Sequence, residues 1–347
     1  MLDATRAAFG TRVRHLLPSS LRRAAARMVA DRRAADVERH LDSLARGARP
    51  IVAGPWLGEV GFELLYWVPF LRWFSEHYRI PSERLIVVSR GGSSTWYAPF
   101  AGASHDALAL MSPDEFRRKN DGRRGRLGEQ KQIASTALDD EVLDAVRLAE
   151  GRDVAVLHPS LMYGLFAPYW WGHRGVDWVH RYARFAPLPG PALDVPLPSG
   201  YTAVKFYFND CFRAAPEHRA FVERTIRRLA DEGPVVSLST GLAVDDHAPC
   251  APDVASMQDI RHLLDPQSNL LVQSAIVARA RRFVGTYGGF AYLAPLYGVP
   301  SVSYYTHPGT FSLRHLDLMR DILTRAGRAE LLEVREAGEG VPLTPPR

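Results

Sequence analysis

The residues of this chain whose types and spacing could do chemistry fall into two sets, one fit to hold an anion and one fit to take a proton. In the first, Phe283-Val-Gly-Thr-Tyr-Gly-Gly-Phe-Ala runs from a strand-like segment ending at Gly285 through Gly288-Gly289 into a short helix. Two adjacent glycines allow a sharp turn. The first N–H groups of a helix lack partners within it and lie at the positive end of its dipole, so such a start favours a phosphate. Gly285, Thr286, Tyr287, Gly288 and Gly289 are the candidate positions. Lys205 is one of three lysines against forty arginines and lies in an apolar segment. Its ammonium needs a partner there, and a compact cation suits the same anion. Arg213 is a second cation nearby in sequence. In the other set, Glu59 and Glu63 follow Gly58, one helical turn apart. They share a helix face if the helix has begun at Glu59, so one could take a proton and the other orient it. His158 ends a strand-like run and His247 lies in a loop; both read more readily as local hydrogen-bonding groups.

Elements must position these groups. Pro50 to Gly54, Arg84 to Ser89 and Asp153 to His158 read as short buried strands. Phe62 to Tyr78 reads as a helix kinked at Pro69, and Asp139 to Glu150 as another. The proline-rich stretch from Pro187 to Pro198 is the best linker. After it the pattern restarts: strand Tyr201 to Phe208, helix Pro216 to Glu232, strand Val235 to Ser239, helix Ser274 to Arg282, strand Phe283 to Gly285, a short helix, and strand Ser301 to Tyr305. Strands alternating with helices, twice over, predict an α/β protein of two doubly wound Rossmann-like domains. The expected division is a basic helical arm over 1–49, a domain over 50–195 and a second over 196–347. Ligands of such sheets sit at the carboxyl ends of strands, where Glu59, His158, Asn209, Asp210 and the Gly285–Gly289 run all fall.

Composition narrows the class. The chain has 347 residues, 46% of them apolar, and no apolar run long enough to span a membrane. Two cysteines, Cys211 and Cys250, make neither a disulfide framework nor a zinc site, which fits a reducing, cytoplasmic compartment. Residues 1–50 hold eleven Arg and five Asp or Glu, while the whole chain has a net charge of only +5. The basic character thus belongs to the arm and not to a nucleic-acid groove. In the arm Leu21, Ala25, Met28, Val37, Leu41 and Leu44 recur at near-helical spacing between arginines. Such a helix packs on its own domain or lies on the anionic inner face of a cell membrane. No signal peptide is evident.

The segment Ala278-Arg-Ala-Arg-Arg-Phe-Val-Gly-Thr, followed by Gly289, Ala291, Leu293, Ala294 and Gly298-Val-Pro, resembles the donor-side motif of bacterial GT-B glycosyltransferases. Among them it is most similar to the heptosyltransferase-like enzymes of surface-polysaccharide assembly. The run Gly54-Pro-Trp-Leu-Gly-Glu-Val-Gly-Phe-Glu-Leu is similar to one in polysaccharide-locus proteins. The resemblance implies metal-independent, inverting transfer of a sugar from a nucleotide sugar to a glycan or lipid-linked acceptor, with no cofactor and with the nucleotide on the second domain. Similar enzymes place an acidic base six residues before a helix proline, the spacing of Glu63 to Pro69, so Glu63 is the expected base and Glu59 the second candidate. Direct displacement at an anomeric carbon also needs charge stabilisation on the departing diphosphate. The chain departs from the pattern at Tyr287, Gly288 and Tyr292, where such enzymes carry Asp, Ser and His; this leaves the donor open. An aromatic-rich run supplies Tyr163, Trp170, Trp171 and His173 as an acceptor-side wall, since flat rings suit the apolar faces of sugars. The basic, glycine-punctuated stretch Arg117 to Lys131 reads as a loop. Two other functions fit the same residues: a nucleotide-sugar epimerase, and a nucleotide- or sugar-binding protein without catalysis.

Overall fold

Ile51-Val52-Ala53 and Leu85 to Ser89 are buried along their whole length, as strands covered on both faces must be. The computed structural model describes residues 19–127, 131–193, 196–240, 248–250, 254 and 257–338. In it β1 (Ile51–Ala53), β2 (Leu85–Ser89), β3 (Ala103–Asp106) and β4 (Ala155–Leu157) form a parallel sheet in the order β3-β2-β1-β4. A second sheet holds β5 (Thr202–Lys205), β6 (Val235–Ser237), β7 (Met257–Asp259), β8 (Arg282–Thr286), β9 (Ser301–Tyr305) and β10 (Leu332–Glu336). Its order is β10-β9-β8-β5-β6-β7, again parallel throughout. In each sheet the chain winds outward on one side and then returns to the other. The reversals lie between β1 and β4 and between β5 and β8, and crevices open beyond the strand ends at such points. Both sheets are therefore doubly wound, as the alternation of elements predicts.

The helices are α1 (Ser19–Arg46), α2 over 60–77, α3 (Pro113–Leu127), α4 (Ala137–Glu150), α5 (Pro159–Trp170), α6 (Pro216–Glu232), α7 (Asn269–Arg279), α8 (Gly289–Leu296) and α9 (Leu313–Arg325), with shorter turns between them. Where a kink at Pro69 is expected, helix α2 changes type just ahead of the proline. Its α-helical start, Val60–Phe62, passes into a π-helical turn, Glu63–Trp67, before the α-helical Val68–His77. The wider turn relieves the clash that a proline ring makes with the carbonyl four residues earlier. Part of the stretch expected to be a loop, Arg117 to Leu127, belongs to α3 instead; its glycines at 122 and 125 are outweighed by helix-favouring charged neighbours. The expected strand Tyr201 to Phe208 divides at Phe206. Beyond it, Tyr207–Phe208 pairs antiparallel with Ala248–Pro249, and the Thr286 hydroxyl takes over both backbone groups of Tyr207 (3.0 and 2.9 Å).

Ala30, Ala34, Val37 and Leu41 of α1 face inward, and the helix packs on α5. Arg84 closes its C-terminal end by donating to the carbonyls of Ala45 (3.0 Å) and Leu44 (3.2 Å), where a cation complements the helix dipole. Leu21, Met28 and Val29 stay exposed. No helix of the described residues is long and apolar enough to cross a membrane. One buried apolar cluster runs from α2 and the first sheet into α8, α9 and the second sheet.

Candidate active site

The chain leaves β1 through a loop that is fixed at every step. Trp56 N–H donates to the Val88 carbonyl (2.8 Å). Gln132, fully buried, accepts from Leu57 N–H (2.9 Å) and donates to the carbonyl of Pro55 (2.8 Å) and to Asp139 (2.7 Å). Arg90, just past β2, donates to the Gly58 carbonyl (2.7 Å). This framework delivers Glu59 to the N-terminus of α2, exposed and without a side-chain capping bond. On the facing side, α8 begins at Gly289. A Cβ on Gly289 would lie 2.8 Å from Gly61 N and 3.0 Å from Val60 Cβ. The positive ends of two helices, one from each sheet, thus converge.

A cavity of about 510 Å³ opens where they meet, within the range of small-ligand sites. Its wall holds Glu59, Lys205, Tyr287, Gly288 and Gly289, which the sequence singles out, together with Asn209 and Asp210. Lys205 Nζ donates to Gln273 Oε1 (2.5 Å) and sits 4.1 Å from the Phe290 ring centroid, a cation–π contact that holds the ammonium at the wall. Arg90, Lys131 and His315 also line the cavity. None of the three is among the site residues expected from the sequence, although Lys131 ends the basic stretch that begins at Arg117. Arg90 could have been found from its place directly after a buried strand. Gln132 and His315 depend on contacts across 75 and 249 residues, which no local pattern reveals.

Other expected residues lie elsewhere. Glu63 does not line the cavity. It is fully buried in the π-helical turn, accepting from Tyr97 OH (2.5 Å) and Ser93 Oγ (3.0 Å), while its Oε2 makes no hydrogen bond. Burial raises its carboxyl from 4.5 to about 7, against the lowering effect of the Tyr97 bond, the Arg90 charge and the Ser93 bond. Gly285 and Thr286 lie within β8; a Cβ at 285 would meet the Lys205 carbonyl oxygen at 2.2 Å, so this glycine serves strand contact. Gly288 is extended (φ 168°), so neither it nor Gly289 supplies a left-handed turn; both are needed for close approach. Arg213 is exposed and away from the cavity. The acceptor wall does not form as expected. Tyr163 is buried and stacks on Trp56 (6.2 Å), and half-buried Trp170 packs edge-on against Phe62 (5.5 Å); neither lines the cavity. Trp171, 64% exposed, stands at the surface with half-buried His173 beside it, and neither lines the cavity. His158 caps α5, accepting from Ser160 N–H (3.2 Å). His247 lies outside the described residues. The charged groups on the wall can hold an anion beside an exposed carboxylate that can take a proton.

Replacing Gly289 by Val is expected to force α2 and α8 apart. A loss of about 1–3 kcal/mol in urea unfolding follows from overpacking against backbone. Gly175, where an added Cβ meets nothing within 4 Å, is the control. Equal stability of the two valine variants would deny the contact.

No family model matches the sequence, and no curated protein does. Among solved structures, the chain is similar to the E. coli heptosyltransferase WaaC with ADP, at 12% identity over 82% of this chain and 92% of that one, with a TM-score of 0.37. The E. coli ADP-heptose lipopolysaccharide heptosyltransferase II is 13% identical over 85% and 94%, with a TM-score of 0.37. The iron-containing dodecameric glycosyltransferase TibC of enterotoxigenic E. coli is 11% identical over 74% of this chain, with a TM-score of 0.36, and the chain spans 58% of its length. These likenesses are distant, and the fold stands on the two parallel sheets themselves.

Proposed function

We propose that this protein is a glycosyltransferase that moves a sugar from a nucleotide sugar to a glycan or lipid-linked acceptor without a metal ion. The observation that carries the reading is the cavity where two helix N-termini meet beside Arg90, Lys131 and Lys205. Such a cradle suits a diphosphate, whose negative charge grows as the glycosyl bond breaks. The motif from Ala278 to Pro300, which shapes the second-sheet wall, supports a nucleotide sugar as the source of that diphosphate. The nucleotide is assigned to the second sheet and the acceptor to the first. Glu59 is the carboxylate placed to take the acceptor hydroxyl's proton; Glu63, behind the wall, is not. Exposed Leu21, Met28 and Val29 among the arginines of α1 support approach to a membrane-borne acceptor.

Calorimetric titration of UDP, ADP and GDP tests the reading. One of them is expected to bind, and Lys205→Ala to weaken it about tenfold, the value of one charge-assisted hydrogen bond. Binding should survive EDTA. Unchanged affinity in folded Lys205→Ala would move the diphosphate elsewhere, and loss with chelator would count against metal independence. Release of nucleotide only when acceptor is added separates transfer from epimerisation, which needs no acceptor, and from simple binding.

A further inference from the structure

His315 lies at the start of α9 and lines the cavity. Its ring packs edge-on against Phe62 (4.8 Å) and Tyr66 (5.6 Å). Its Nδ1 is 2.6 Å from the hydroxyl of Tyr66, a residue of α2 with no exposed surface. Burial raises the Tyr66 phenol well above its usual range, so the hydroxyl keeps its proton. Among the described residues, His315 Nδ1 is the acceptor that proton has. The opposite arrangement, with Nδ1–H donating to the phenol oxygen, would strand a buried O–H with nothing to receive it, an arrangement that folded proteins avoid. The ring's proton therefore sits on Nε2, which makes no hydrogen bond with a described residue. Burial and the Lys131 charge lower the His315 imidazole to about 4, so it is neutral near pH 7. A neutral ring protonated on Nε2 offers the cavity a donor and no basic lone pair.

We propose that His315 is a neutral hydrogen-bond donor to the glycosyl group of the bound nucleotide sugar, with Tyr66 fixing its tautomer and Nε2–H contacting an uncharged sugar oxygen. This rests on the nucleotide-sugar reading above. The cations and helix ends answer the diphosphate; an uncharged donor adds little against such charge but discriminates a hydroxyl or ring oxygen. Its surroundings fit a sugar. Phe62 touches the imidazole ring, and Phe311, also on the cavity wall, packs on Tyr287 (4.7 Å). Such rings offer flat apolar surface to the C–H faces of a sugar. Tyr66 is then a positioning residue, acting through His315.

Two measurements on the full chain test the proposal. Long-range nitrogen–proton correlation spectra at pH 7.5 should show His315 neutral and protonated on Nε2, and Tyr66→Phe should yield a tautomer mixture. Titration of UDP, ADP and GDP and of UDP-glucose, ADP-glucose and GDP-mannose should then separate the nucleotide from the sugar. His315→Asn keeps an acceptor for Tyr66 but lacks the Nε2 donor. It should bind the diphosphates as wild type does and lose about 3- to 10-fold in affinity for the matching nucleotide sugar, the range of one neutral hydrogen bond. His315→Gln, whose amide nitrogen reaches the Nε2 position, should recover much of that loss. A His315 ring protonated on Nδ1 or charged at pH 7.5 overturns the proposal, as does unchanged sugar affinity in His315→Asn. If diphosphates bind wild type and only the His315 variants are silent, this inference alone falls. If neither the diphosphates nor their sugar esters bind wild type, the nucleotide-sugar reading falls and takes the sugar contact with it.

Discussion

Glu59→Gln is expected to lower sugar transfer by roughly 10²-fold or more while leaving affinity for the nucleoside diphosphate near that of wild type. Glutamine keeps the length and polarity of the side chain at the cavity rim but cannot accept a proton at neutral pH. The loop that presents it is held through its backbone, by Gln132 at Pro55 and Leu57, by the Val88 carbonyl at Trp56 and by Arg90 at Gly58. The matching Glu63→Gln should keep most of its transfer, because that carboxyl faces Tyr97 and Ser93 and not the cavity. Rates and affinities for both variants decide the point. A dead Glu63→Gln beside an active Glu59→Gln would reverse the roles, and full activity in both would place the base on another element.

The second large effect is on stability. The Glu63 carboxyl titrates near 7 in the folded chain against 4.5 as its ordinary value. Between those values the native state holds a proton that the unfolded chain releases, so this residue's contribution is full below pH 4.5 and is lost as pH rises through 7. The gap corresponds to about 3 kcal/mol. His315 acts in the opposite sense. Its pKa falls from 6.5 to about 4, so the unfolded chain takes up a proton that the native state refuses, and stability is lost as pH falls through that window. The two slopes overlap between pH 4.5 and 6.5 and oppose each other. Glu63→Gln should therefore uncover a stability that rises with pH up to about 6.5, and His315→Asn one that declines toward pH 7. Urea unfolding at intervals from pH 4.5 to 8 checks this through the difference between each variant and wild type. Curves parallel to wild type would mean that neither group titrates as its burial requires.

Much of the fold is legible in the sequence because its elements announce themselves locally. β1, β2 and β4 are short apolar runs bounded by glycine, proline or charge, β9 follows the Gly298-Val-Pro stop, and α6 begins at Pro216 and stops at Gly233, as its terminal residues predict. β3 and β7 are not apolar enough to register: Ala-Ser-His-Asp and Met-Gln-Asp are held by parallel pairing to β2 and β6 and not by their own side chains. The placement of Lys205, Glu59 and Gly289 on one wall follows from the rule that parallel sheets bind at strand ends. The position of Glu63 does not. A π-helical turn shifts the phase of a helix, so a spacing of six to Pro69 no longer predicts which way the side chain points. The aromatic run after His158 misleads for another reason. Aromatic side chains satisfy a core as readily as a sugar, and only Phe62 and its neighbours near the cavity show which of the two applies.

The buried cluster that passes without a break from α2 into α8 and α9 makes the two sheets poor candidates for separate life. Gly289 against Gly61, Tyr66 against His315, and Trp96 Nε1 donating to Ser274 and Tyr297 (both 3.2 Å) join them around the cavity. A chain severed in the stretch between β4 and β5 would leave each half with a wide greasy face and several orphaned partners. The modular appearance of the sequence, two repeats of the same winding, is therefore misleading as a guide to dissection. For anyone wishing to swap halves between related chains, the inheritable unit is the pair of sheets together with the seam that joins them.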